Sequence, residues 1–166
     1  MAETAHHQQL GKFENLVQGL ESSLIGIICA ISGEDYAAEI LPAETKYRRL
    51  VGSADAVFSH FVDLLHQPDL EAKARFHKLM ERCLDIGVFR DRRNHSQYAL
   101  LRRAGNVVAP VQEKAALGCT GDSPRQLTGE DLSVESFEPY FQKITKVIAE
   151  LESFSLQVVK WKCRDG

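Results

Sequence analysis

The sequence predicts an all-α protein, a helical bundle of about four long helices. Three observations carry this. Apolar residues recur at three- and four-residue steps over four long stretches, so each stretch presents one apolar face. Gly33, Pro68 and Pro139 stand at the ends of those stretches, not inside them. The chain has 166 residues, 44% of them apolar and 26% charged, an ordinary globular balance for one domain with one core.

The first helix is expected from about residue 7 to 32, with Leu10, Phe13, Val17, Leu20, Leu24, Ile27, Ile28 and Ile31 on one face and Gly33 as its stop. A second, over about 43–66, has Tyr47, Leu50, Val51, Ala54, Val57, Phe58, Phe61, Leu64 and Leu65 as its stripe. In "HQPD", Pro68 ends it and Asp69 can cap the next. The third starts near 70, buries Phe76, Leu79, Met80, Cys83 and Ile86, and runs on through Phe89, with Gly87 as a candidate kink. Residues 99–132 read differently. "ALLRRAGNVVAPVQEKA" allows a short hairpin, and "GCTGDSPRQLTGED" reads as a surface loop. The last helix begins near 133–136, with Phe137, Phe141, Ile144, Val147, Ile148, Leu151, Phe154, Val158 and Trp161 on its apolar side. The domain expected is therefore 1–166, with a flexible 1–8 and a variable loop or hairpin over about 104–132.

Several function classes lose support on composition. A net charge of −3 draws neither nucleic acid nor an anionic membrane globally, so any polyanion site must come from local clustering. No apolar run reaches the ~18–20 residues needed to cross a bilayer, the longest candidate being "LIGIICAI". The start lacks the pattern of a secretory signal, so a cytoplasmic location without membrane attachment is expected. Cys29, Cys83, Cys119 and Cys163 form no CxxC pair, and His60, His66 and His77 lack ligand spacing with a carboxylate. Neither a metal nor a cofactor is expected. No serine stands in a GxSxG turn, and no Walker loop is present.

One segment stands out. "RDRRNHSQYALLRR", residues 90–103, holds five arginines and one aspartate, a local charge of +4. Arginine forks suit phosphate oxygens, although a solvated helix face carries the same residues for solubility. On a helix Asp91 neighbours His95, where a carboxylate fixes the imidazole tautomer and favours its protonated form; a plain surface pair has the same spacing. Arg90 and His95 are five apart, about 140° around an ideal helix. They converge only if the helix is distorted or if two copies meet.

The segment "RDRRNHS" resembles the signature of the HEPN superfamily, an arginine, a polar residue and a histidine, here Arg90, Asp91 and His95 in the spacing R-x4-H. Ser96 and Tyr98 resemble the small and aromatic residues that follow that histidine. The helix order extends the likeness over most of the chain. The resemblance implies a metal-independent endoribonuclease, a homodimer with both motifs lining one cleft. His95 would move a proton to or from the ribose 2′-OH and the leaving oxygen, and Arg90 would stabilise the phosphorane-like charge. Asp91 would orient His95, and Arg92, Arg93, Asn94, Ser96, Tyr98, Arg102 and Arg103 would line the RNA. A 2′,3′-cyclic phosphate would form.

The resemblance further implies a toxin of a toxin–antitoxin pair or a phage-defence effector, with RNA as substrate and an antitoxin or regulatory protein as partner. A second register stays open, in which Arg93 and Asn94 take the arginine and polar positions and Tyr98 stands where histidine is required. A non-catalytic HEPN-like bundle, dimerising or binding RNA or a partner, is the alternative. In it the charged segment is an interhelical polar network.

Overall fold

The computed structural model describes residues 2–35, 37, 46–103 and 137–165, and of residues 2–6, 95–103 and 165 the backbone alone. Four helices pack as a bundle: α1 (Ala2–Ser32), α2 (Tyr47–Asp63), α3 (Leu70–Arg103) and α4 (Glu138–Asp165). No strand occurs among the described residues. Residues 99–103, read as the start of a hairpin, are instead the last turn of α3, because the helix runs on unbroken to Arg103; the rest of the hairpin or loop expected over about 104–132 lies outside the described residues.

The helix ends follow from local chemistry. Ser32 closes α1 and Gly33 follows at φ +86°, a left-handed conformation that glycine adopts without a Cβ penalty. The Gly33 N–H donates to the Cys29 carbonyl at 2.9 Å. Asp69 caps α3 as the sequence suggests, its carboxylate accepting from the Ala72 N–H at 2.8 Å. α2 stops at Asp63, earlier than expected. Leu64, assigned to the apolar stripe, is 70% exposed, and Val62 takes a buried place the stripe did not include. Pro139 is the second residue of α4, where its missing N–H has no intrahelical partner to lose.

Side-chain contacts give each helix its direction. α2 runs antiparallel to α3, since Tyr47 meets Cys83, Asp55 meets His77 and Asp63 meets Lys73. α3 runs antiparallel to α4, with Phe89 against Tyr140, Asp85 against Lys143, and Phe76 against Phe154. α1 runs parallel to α4: Phe13 lies by Phe137, and Gly19 by Ile148. Three helices therefore share a direction and α3 opposes them. α1 packs against α2 and α4, and so does α3.

The core has an aromatic cluster toward each end. One joins Phe13, Phe89, Phe137 and Phe141; the other stacks Phe58 on Phe76 at 3.9 Å, with Phe154 edge-on. Leu20, Leu24, Leu79, Met80, Cys83, Ile86, Ile144 and Val147 fill the space around and between them. Burying such a side chain stabilises by roughly 1.5–3 kcal/mol, so these clusters dominate the favourable side of folding. One membrane expectation is corrected. The α1 stretch His7–Ser32 is long and apolar enough, by length and composition, to cross a bilayer. In the bundle, Phe13, Val17, Leu20, Leu24, Ile27 and Ile28 on its inner face are all buried in the core.

α3 runs through Gly87 without interruption, so the expected kink is not the role of this glycine. A Cβ there would lie 2.9 Å from two ring carbons of Tyr47. The glycine is a notch in α3 that admits the Tyr47 ring, whose hydroxyl donates to the Cys83 carbonyl at 2.9 Å. Gly87→Ala should therefore destabilise by about 1–3 kcal/mol, since the ring must shift. Gly52→Ala, with nothing near its Cβ position, should stabilise by up to about 1 kcal/mol. Chemical denaturation of both variants checks the opposite signs; a like response would remove the notch.

Candidate functional site

The charged motif occupies the C-terminal part of α3, which is α-helical without a break from Leu70 to Arg103. Its residues point to different surroundings. Asp91 and Arg92 are exposed, Asn94 is half-buried, and Arg93 is buried with only 4% of its surface exposed. For His95, Ser96, Tyr98, Arg102 and Arg103 the helix backbone is described and the side chains lie outside the described residues.

Arg90 is held by the chain itself. Its two terminal nitrogens reach α1, Nη2 to Glu14 Oε2 at 3.3 Å and Nη1 to Glu21 Oε1 at 3.1 Å. Glu14 and Glu21 stand seven residues apart, two turns along one side of α1, so one planar fork meets both. All three side chains are about 26–31% exposed, which leaves the pairs partly shielded from water. Arg90 Nε is enclosed, with no hydrogen-bond acceptor among the described residues.

Arg93 is held by rings. Its guanidinium carbon lies 4.1 Å from the Phe137 centroid and 5.1 Å from that of Phe89. A desolvated guanidinium over aromatic faces is attracted by about 2 kcal/mol. The reading of Arg93 as a solubilising surface residue is corrected by this burial. The same contacts take up the guanidinium that the sequence assigns to flanking phosphates.

Tyr47 stands beside the cluster. Burial, and then the neighbouring Cys83 and Glu21, push its phenol well above the ordinary range, against the opposing charge of Arg90. It stays a neutral donor to the Cys83 carbonyl. Burial pushes the Cys83 thiol up to about 12, so it is no nucleophile at neutral pH.

The helix brings Asp91 one turn before His95, as the spacing predicts. It does not bring Arg90 and His95 together. With no 3₁₀ or π turn at 90–95, their positions remain about 140° apart around the helix. Convergence on one phosphate then requires a second copy. Sequence reasoning missed Glu14 and Glu21, although two carboxylates at i and i+7 flanking the apolar stripe of the first helix carried that signal. No group of three metal-ligating side chains gathers among the described residues. No family model matches the sequence, and neither a curated protein nor a solved structure matches it.

One histidine with a raised pKa lies away from the motif. His77 Nδ1 is 2.8 Å from Asp55 Oδ2, and the hydrogen bond and charge of Asp55 raise the imidazole pKa above 6.5. A raised folded-state value means the pair stabilises fully below the unfolded pKa of about 6.5 and loses that contribution as pH rises through the folded one. His77 is largely exposed, so the effect should be small. Melting temperature should fall slightly from pH 6 toward pH 8 by a step that Asp55→Asn abolishes. An unchanged profile in the variant would remove the assignment.

Proposed function

We propose that this chain is a non-catalytic, HEPN-like helical bundle that acts by binding a partner macromolecule, its charged motif serving as an interhelical polar network. One observation carries this reading. Two arginines of the motif are engaged within the chain, Arg90 by Glu14 and Glu21, and Arg93 by Phe89 and Phe137. A guanidinium between two carboxylates has its charge offset before any phosphate arrives. That is the reverse of a donor set prepared for developing negative charge. The register with Arg93 and Asn94 at the arginine and polar positions agrees, since it leaves Tyr98 where a proton acceptor is required.

The ribonuclease reading has a specific observation of its own, the carboxylate of Asp91 one turn before His95 on an unbroken helix. In that reading two copies of the chain share a cleft, His95 is the base, and Arg90 releases its carboxylates to the substrate.

One pair of assays separates the two. Purified protein incubated with RNA and EDTA should leave the RNA intact, with wild type and His95→Ala alike. Arg90→Ala should unfold at lower denaturant, by about 1–3 kcal/mol, because Glu14 and Glu21 then face each other without a cation. Cleavage by the wild type that disappears in His95→Ala would establish the enzyme and end the proposal.

A further inference from the structure

The seam between α3 and α4 is charge-matched at one end only. Asp85 pairs with Lys143 at 3.1 Å, and Arg82 with Glu150 at 2.8 Å. Because the helices are antiparallel, the next residues along the same edges are Lys78 and Arg75 on α3, and Ser153, Gln157 and Lys160 on α4. The pattern breaks there. Lys78 and Lys160 have no ion pair among the described residues, and Arg75 meets the face of Phe154 at 5.9 Å instead of a carboxylate. Lys78 stands three residues after Arg75 and four before Arg82, so the three cations neighbour one another along α3.

The same stretch is hollow. A cavity of about 310 Å³ opens between Arg75, Lys78 and Arg82 on one side and Glu150, Ser153 and Gln157 on the other, with Leu79 and Phe154 between them; Glu150 is the carboxylate already paired with Arg82. A second hollow shares Ser153 and Gln157 and extends along α4 to Leu156 and Lys160. Leu156 is 66% exposed in it.

We propose that this groove binds an acidic amphipathic helix of a partner protein. This rests on the partner-binding reading above and supplies its surface. Carboxylates at i, i+3 and i+4 of a helix stand about 5–6 Å apart, the spacing of the cations along α3. An incoming acidic helix would thus continue the ladder that Asp85–Lys143 and Arg82–Glu150 begin. The apolar neighbour decides between protein and nucleic acid. Leu156 gains nothing from a phosphodiester backbone, but is covered by the apolar edge of an amphipathic helix. Phe154 and Trp161 are each only 7% exposed, so neither ring offers a face on which a base can stack.

Fluorescence anisotropy tests the proposal with three labelled probes. They are a synthetic helix of roughly 20 residues with glutamate and leucine on adjoining stripes, the same helix with glutamine for glutamate, and a single-stranded RNA of equal length. The acidic helix should bind, more weakly as salt rises, and the other two should not. Lys78→Glu and Lys160→Glu should each weaken it roughly tenfold, and Leu156→Ala should weaken it too, with melting temperatures unchanged because all three residues are exposed. Absent binding, equal binding of the glutamine probe, tighter binding of RNA, or wild-type affinity in both charge reversals would overturn it. The RNA-cleavage assay and the stability of Arg90→Ala judge the earlier reading separately, so either can fail without the other.

Discussion

A guanidinium ties together two helices, α1 and α3, that do not pack extensively on each other. α1 and α3 are each packed against α2 and α4, and Arg90 of α3 reaches Glu14 and Glu21 of α1. Apolar contacts are non-directional, so a bundle held by them alone tolerates one helix sliding past the next. A planar fork engaged with carboxylates two turns apart does not. It sets the height of α1 against α3, and with it the level at which Phe13 meets Phe89 and Phe137. The notch at Gly87 sets α2 against α3 in the same way, by admitting one ring at one height. Both devices lie within one turn of each other on α3, which makes that stretch the reference for the other helices.

The distribution of charge gives the two ends of the molecule different characters. Near the motif, Arg90 and Arg93 are matched by the chain's own carboxylates and rings, and further down the α3–α4 seam the ion pairs are complete. Further along the seam Lys78 and Lys160 have no ion pair among the described residues, and the groove between the helices opens. A net charge of −3 does not reveal this arrangement. Function is therefore sought where charge is left unmatched, not where arginines are densest in the sequence.

The fold was legible because the apolar period is local. Each of the four helices announces itself in its own stripe, and Gly33 and Asp69 mark their boundaries by short-range chemistry. The motif was legible only as composition. Nothing in "RDRRNH" tells which arginine turns inward, since that depends on Phe137 and on two glutamates seventy to eighty residues earlier. Val62 and Leu64 changed places for a related reason. The apolar spacing continued past the point where α2 stops, and the turn before Pro68 decided which side chain faced the core. The cationic groove was harder still, because it is defined by carboxylates missing from α4 opposite particular residues of α3.

The central claim is that Arg90 is a structural tie and not a free cation. A double-mutant cycle on Arg90→Met and Glu21→Gln, read by denaturant unfolding, measures it directly. The account predicts a coupling of about 1 kcal/mol or more that shrinks only partly in high salt, as suits pairs sheltered from water. Additive single losses, with no coupling between the two positions, would contradict it.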